Sequence, residues 1–109
     1  MFIAMNRFQV AEGQESRFEE IWRDRETYLH EVPGFVRFAL LRGDRPGEYV
    51  SHSTWESRSA FESWTRSEAF VRGHAQGSLQ GVLAGHPEVS LYQAVLTQER
   101  DGAKQEVAP

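Results

Sequence analysis

The sequence predicts an α+β domain in which helices cover one face of an antiparallel sheet. Strand-like alternation and helical spacing follow one another along the chain in the order β-α-β-β-α-β, which is the ferredoxin-like arrangement. A chain of 109 residues also has room for only one core. We therefore expect a single domain over residues 1–98. The tail at 99–109 has Val107 as its only bulky apolar residue and is expected to be disordered.

The first strand, residues 2–10, is apolar on both faces and needs a cover on both. One layer of helices covers only one face, and the remaining chain cannot cover the other. A second copy of the chain is the economical cover, which predicts a homodimer with sheets packed face to face, a dimeric α+β barrel. The first face carries Phe2, Ala4, Asn6, Phe8 and Val10, and the second carries Ile3 and Met5.

A helix is predicted from the turn at Glu12-Gly13 to about residue 31, because Pro33-Gly34 ends it. Glu19 and Glu20 are expected on its solvated side. Two strands follow, at residues 35–42 and 48–56, joined by a polar hairpin loop. The apolar residues of the helix recur at intervals of three and four and are Phe18, Ile21, Trp22, Tyr28, Leu29 and Val32.

The second helical region starts near Ser57, where Ser59 and Glu62 have the spacing of a capping box. We expect a kink at residues 65–67, followed by a further turn or two that ends near His74. Residues 75–87 read as a loop or a short helical piece, and residues 88–97 as the last strand.

Composition excludes several classes of function. The net charge of −4 is scattered along the chain, so we expect neither nucleic acid nor an anionic membrane as a partner. The absence of cysteine excludes disulfides, zinc–thiolate sites and a cysteine nucleophile. No apolar run is long enough to span a membrane, and the first residues do not read as a signal peptide. A cytoplasmic protein is therefore expected.

Three residues stand out as candidates for chemistry. Asn6 is a polar side chain on an apolar strand face, although a buried amide bonded to nearby backbone is an equally good interpretation. Trp64 lies on the apolar side of a helix, where it is either core or a rigid wall for a flat ligand. His74, near a helix end, is either a solvated or capping residue or the single axial ligand that a heme needs.

Motifs of several other kinds of binding and catalytic site are absent. No glycine-rich phosphate loop follows a strand, and the GxSxG motif is absent. His30, His52 and His86 do not form a zinc-type cluster with carboxylates. His52 is expected either in the pocket or at the dimer interface, and His86 in a loop. The residues alone thus predict an apolar pocket that contains Asn6, Trp64 and His74, without indicating a reaction.

Three segments resemble the heme-degrading monooxygenases of the IsdG type, which belong to the antibiotic biosynthesis monooxygenase superfamily of dimeric α+β barrels. The segments are Asn6-Arg7 in the first strand, the turn Val32-Pro33-Gly34-Phe35, and WESRSAFESWTRSEAFVRGH at residues 55–74. The resemblance covers residues 2–97. The final His is the specific part of the third segment, because much of the superfamily shares only its first half.

The resemblance implies a catalytic triad of Asn6, Trp64 and His74. His74 would bind the heme iron, Trp64 would press on the porphyrin face, and Asn6 would donate a hydrogen bond to oxygen on the distal side. Trp22 and Phe70 would be heme-binding pocket walls. Heme would be both cofactor and substrate, and dioxygen with electrons from a reductase would open it and release iron.

Two alternatives remain open at this point. The first is a cofactor-free monooxygenase of the same superfamily, which would oxidise an aromatic quinol at the same Asn and Trp positions and would not need His74 as a ligand. The second is a non-catalytic dimer that binds heme without degrading it.

Overall fold

The computed structural model describes residues 1–74 and 79–106. A four-stranded sheet and three α-helices make up most of the fold, and a small hairpin follows the sheet. The elements, in chain order, are β1 (Phe2–Gln9), α1 (Glu15–Asp24), a 3₁₀ turn (Leu29–Glu31), β2 (Phe35–Arg42), β3 (Glu48–Trp55), α2 (Arg58–Thr65), α3 (Glu68–His74), β4 (Glu88–Gln93), β5 (Leu96–Gln98) and β6 (Lys104–Glu106).

The sheet is antiparallel throughout, with the strand order β2-β3-β1-β4. This is the ferredoxin-like order, so the predicted fold class is confirmed. Because β1 lies between β3 and β4, its residues from Phe2 to Arg7 each have two cross-strand neighbours on the same face. Asn6, for example, pairs with Ser51 of β3 and with Val89 of β4.

The helices cover the face of β1 that carries Phe2 and Phe8, and two clusters of buried side chains form there. The first joins β1 and β3 to α1, and the second joins β1 and β3 to α2. The first cluster is centred on Phe8, Val10, Phe18, Ile21, Tyr49 and Val82, and the second on Phe2, Leu29 and Trp55. The space between these two clusters is where the cavity described below lies.

Helix α1 ends at Asp24, well before the predicted end near residue 31. Two side chains in the segment 26–28 bond the backbone that a helix would need: Glu26 accepts from the Tyr28 N–H at 3.0 Å, and Thr27 from the Leu29 N–H at 3.4 Å. Tyr28 also adopts a left-handed backbone conformation, with φ of 59°. The periodicity of the apolar residues does not indicate that these side chains compete with the helix for backbone hydrogen bonds.

Two serine hydroxyls define the second helical region. Ser57 caps α2, since its side chain accepts a hydrogen bond from the Ala60 N–H at 3.1 Å. The cap is therefore Ser57 and not the expected Ser59. The predicted break is present between Thr65 and Glu68, where the Ser67 hydroxyl accepts from the Phe70 N–H.

The C-terminal part of the chain differs from expectation in two ways. The last strand of the sheet ends at Gln93 instead of residue 97, and β5 pairs with β6 in a separate hairpin. Strand β6 belongs to the tail that was expected to be disordered. A turn stabilises it, in which Gly102 has a φ of 92° and Asp101 accepts a hydrogen bond from the Ala103 N–H.

The sheet face opposite the helices is open in a single copy of the chain. Cross-strand pairing places His52 beside Met5 and Tyr92 beside Ile3 on this face, and Tyr92 is 51% exposed. Within the described residues, no helix is both long and apolar enough to cross a membrane.

Candidate functional site

A cavity of about 310 Å³ lies between the sheet and the helices. Its size falls within the range of small-molecule pockets. The sheet contributes Ala4, Met5, Asn6, Phe38, Ser51, Ser53 and Val89, whereas the helices and the segment after α1 contribute Trp22, Arg25, Thr27, Leu29, Phe61, Trp64, Thr65, Phe70, Gly73 and His74. Asn6, Trp22, Trp64, Phe70 and His74 thus line one cavity, and the roles predicted for them remain predictions.

His74 is the last residue of α3 and lines the cavity. Its Nδ1 lies 2.8 Å from the carbonyl oxygen of Phe70, one helical turn earlier. A carbonyl oxygen only accepts, so Nδ1 carries the proton and donates. The lone pair of His74 is therefore on Nε2, which is the arrangement of a histidine ready to bind a metal ion.

The break between α2 and α3 holds Trp64 and His74 on the same side of the chain. The Ser67 hydroxyl donates to the Trp64 carbonyl oxygen at 2.6 Å and accepts from the Phe70 N–H at 3.2 Å. The ring of Trp64 lies 5.8 Å from that of His74 and 4.9 Å from that of Phe70. One serine therefore fixes the relative position of three aromatic side chains of the cavity.

Gly73 lets α3 approach the segment after α1 closely. The residue is buried, and a Cβ placed on it would lie 3.2 Å from the carbonyl oxygen of Thr27. Any side chain at this position would push against that backbone oxygen. The small residue therefore sets the depth at which the neighbouring His74 sits.

Two polar atoms of the candidate triad are buried without a hydrogen-bond partner in the described structure: Asn6 Oδ1 and Trp64 Nε1. Trp22 Nε1 shares this property. Unsatisfied buried polar atoms are rare in proteins, and they are expected where a ligand completes the hydrogen bonding. All three residues line the cavity.

Trp22 separates the cavity from a second, shallower depression. Its ring stacks on that of Phe38 at 5.5 Å with an interplanar angle of 22°, and the Arg25 guanidinium lies 4.4 Å from its centroid. Burial lowers the pKa of Arg25, because the charged form is partly removed from water. The sequence gave no sign of Arg25, since it falls in the segment predicted to be helical.

Glu19 was predicted to be solvated, and this prediction was wrong. Its side chain is only 13% exposed. It accepts hydrogen bonds from the Tyr49 hydroxyl at 2.5 Å and from Arg42 at 2.6 and 2.9 Å, and it pairs with Arg23 at 2.9 Å. The Tyr49 hydrogen bond and then Arg42 hold the pKa of Glu19 below its ordinary value. This network ties α1 to β2 and β3.

The remaining histidines lie apart from the cavity. His52 faces away from Asn6, because it pairs with Met5 on the open face of the sheet. His86 is exposed and does not line the cavity. Among the described residues, no three His, Cys, Asp or Glu side chains form a metal-binding group. A metal ion in this cavity would therefore be held chiefly by its own cofactor, as in heme, with one protein ligand.

The residues present fit a heme on three counts. One imidazole nitrogen is free to bind iron, the cavity lining is mostly aromatic and aliphatic, and Asn6 and Trp64 offer unpartnered polar atoms. The donor set contains no thiolate and no carboxylate cluster that would favour a bare metal ion.

Comparison with known proteins gives a family match and two kinds of relative. Residues 1–76 match the model of the family described as antibiotic biosynthesis monooxygenase. A mycobilin-producing heme oxygenase of Mycobacterium tuberculosis is 30% identical over 84 residues, which cover 76% of this chain and 79% of that protein.

Solved structures of both kinds are similar in fold. The heme-degrader MhuD from Mycobacterium tuberculosis, with two hemes bound in its active site, matches with a TM-score of 0.73 and 25% identity, covering 91% of this chain and 100% of that one. SnoaB from Streptomyces nogalater, a cofactor-independent oxygenase, matches with a TM-score of 0.65 and 26% identity, covering 85% and 91%.

Proposed function

The chain belongs to the antibiotic biosynthesis monooxygenase family, and from this premise we propose that it is a heme-degrading monooxygenase. It would bind heme in the cavity between sheet and helices and open the porphyrin with dioxygen and electrons from an external donor, such as a reductase. The products would be iron and an open tetrapyrrole. The 30% identity to a mycobacterial heme oxygenase supports this choice of substrate.

The geometry of His74 carries the proposal. Its Nδ1–H is committed to the Phe70 carbonyl oxygen, which leaves the Nε2 lone pair for the heme iron. A carbonyl partner of this kind fixes the tautomer and the ring orientation of metal-binding histidines. A cofactor-free oxidase would have no need for such an arrangement.

The other residues of the cavity would orient the ligand. Trp64, held by Ser67 and packed against Phe70, would form a rigid wall against the porphyrin. Asn6, on the sheet side, would donate a hydrogen bond toward dioxygen on the distal face. Trp22 would close the cavity on the α1 side through its stack on Phe38. Heme supplies the redox chemistry, and the protein supplies position and hydrogen bonds.

A second copy of the chain is proposed as the cover of the open sheet face. Apolar residues, including Met5, Leu41 and Tyr92, lie on this face, and Leu41 and Tyr92 are 46% and 51% exposed in one copy. A contiguous apolar face of a sheet is a typical interface. His52, which pairs with Met5, would then lie at the interface of a homodimer.

The test is a hemin titration of the purified protein followed by the visible spectrum, with His74→Ala in parallel. We expect a Soret band that saturates at one heme per chain, and an affinity at least about 100-fold weaker in the variant, since even indirect partners of a metal ligand contribute 10–100-fold. Ascorbate in air, with catalase present, should bleach the band in the wild type. Absence of a specific Soret change in the wild type would overturn the assignment.

The similarity to SnoaB supports a second candidate function, cofactor-free oxidation of an aromatic quinol. Asn6 and Trp64 would serve it equally well. The two functions differ in whether His74 is needed as an iron ligand. A protein that stays colourless with hemin but consumes dioxygen with a quinol would favour this alternative. A protein that binds hemin and survives reductant and air would instead be a heme-binding dimer without catalytic activity.

A further inference from the structure

One cross-strand row of the sheet faces the cavity with two polar residues in its centre. The register places Val89, Asn6, Ser51 and Leu40 side by side on β4, β1, β3 and β2. Directly paired residues have Cβ atoms about 4.5–5.5 Å apart, so the side chains of Asn6 and Ser51 are neighbours on one face. Both line the cavity. The apolar Val89 and Leu40 flank the pair.

Four residues with hydroxyl groups line the cavity, and three of them are already engaged. Thr65 donates to the Glu62 carbonyl oxygen at 2.7 Å, and Thr27 accepts from the Leu29 N–H at 3.4 Å. Ser53 accepts from the buried Trp55 Nε1–H at 3.0 Å and donates to Ala4. Each of these hydroxyls therefore serves the fold.

Ser51 differs from these three. Its hydroxyl makes no hydrogen bond with any described residue, and its neighbour Asn6 Oδ1 is buried without a partner. A hydroxyl that makes no bond within the described residues, beside an amide whose oxygen lacks a donor, indicates that these side chains complete their hydrogen bonding with a ligand in the cavity.

We propose that Ser51 is a further ligand-binding residue of this site, whose hydroxyl acts with the Asn6 amide as a hydrogen-bonding pair for an atom of the ligand on the sheet side. The proposal rests on the proposed function and extends it. Asn6 Oδ1 only accepts and takes no part in this contact, whereas the Ser51 O–H and the Asn6 Nδ2–H are both donors and both uncharged. Together they suit a small, partly negative acceptor, which for a heme-degrading enzyme is dioxygen on the face of the heme that looks toward the sheet.

The experiment uses azide as a probe, because its terminal nitrogen accepts a hydrogen bond on the open face of ferric heme. The Ser51→Thr and Ser51→Val variants are loaded with hemin and titrated with azide. Threonine and valine have the same shape and differ in the hydroxyl. We expect azide to bind about three- to tenfold more weakly to the valine variant than to the threonine variant. This factor corresponds to the loss of one neutral hydrogen bond. The infrared stretch of bound azide should shift between the same two variants.

The control is Ser63→Ala, which removes an exposed hydroxyl that does not line the cavity. It should leave azide affinity unchanged. Hemin affinity, measured first, establishes that each variant has folded, and Ser51→Ala replaces the valine variant if that one binds no hemin. Equal azide affinity and an unchanged stretch with and without the Ser51 hydroxyl would overturn this inference alone. Failure of the wild type to bind hemin would overturn the proposed function as well.

Discussion

Around Phe18 and Tyr49 the space between the helices and the sheet is filled, and its polar groups are bonded to one another. Around Asn6 and Trp64 the same layers leave a cavity and buried polar atoms without partners. An unsatisfied buried polar group costs about 1–3 kcal/mol of stability. The comparison teaches that the packed region around Phe18 and Tyr49 (the filled end) contributes stability, whereas the region around the cavity (the open end) retains binding capacity.

The largest expected effect concerns the filled end. Phe18 is completely buried and contacts the rings of Phe8, Trp22 and Tyr49. Phe18→Ala should lower the free energy of unfolding by about 3–5 kcal/mol, measured by urea denaturation. Val71→Ala, at a side chain that is 65% exposed, should change it by less than about 0.5 kcal/mol. Similar values for the two variants would show that the buried contacts of Phe18 do not stabilise the fold.

A smaller effect, with a characteristic pH dependence, is expected for Glu19→Gln. The Tyr49 hydrogen bond and Arg42 lower the pKa of Glu19 in the folded state below its ordinary value of 4.5. The ionised form therefore stabilises the fold at neutral pH, by about 1.5 kcal/mol for a hydrogen bond to a charged group. This stability should be lost as the pH falls from about 4.5 through the lowered pKa.

Unfolding of the wild type and of Glu19→Gln across pH 2–7 tests this sign. The difference between them should be constant above about pH 5.5 and should close in acid. Glu20→Gln is the matched control, because Glu20 is 60% exposed and its ion pair, with Arg17, is long at 3.6 Å. A difference that grows in acid would contradict the role assigned to the Glu19 network.

The smallest effect has the opposite sign and concerns the open end. Asn6→Leu replaces an amide whose oxygen is buried without a partner by an apolar side chain of similar shape. We expect the free energy of unfolding to rise by about 1 kcal/mol while the heme degradation proposed for this chain is lost. Ser53→Ala, on the same face, should instead lower stability, because it removes the partner of Trp55 Nε1. A destabilised Asn6→Leu would mean that the amide serves the fold.

The sequence predicts the filled end more completely than the open one. Alternation and helical spacing report which residues are buried, so the order of elements and residues such as Phe2, Phe8 and Phe18 follow from pattern alone. The pattern also explains why Asn6 could be singled out, since a polar residue interrupts an apolar face. What periodicity does not report is which polar residues find partners.

Three features illustrate that limit in physical terms. Glu19 lies on the polar side of α1, yet it is covered because Arg42 and Tyr49 arrive from strands distant in sequence. Helix α1 ends early because Glu26 and Thr27 bond nearby backbone, an effect of a few atoms. Ser51 becomes notable only through its register opposite Asn6 and through the engagement of the other hydroxyls.

The close contact between Gly73 and the backbone of Thr27 has a consequence for how this chain can diversify. In a library of random substitutions, the exposed neighbour Val71 should accept many residues, whereas any side chain at position 73 requires the backbone at Thr27 or α3 to shift by a few tenths of an ångström. The contact is with a backbone carbonyl oxygen, so no side-chain substitution at residue 27 removes it. Evolution of a new substrate preference in this cavity is therefore expected to change other lining residues before Gly73.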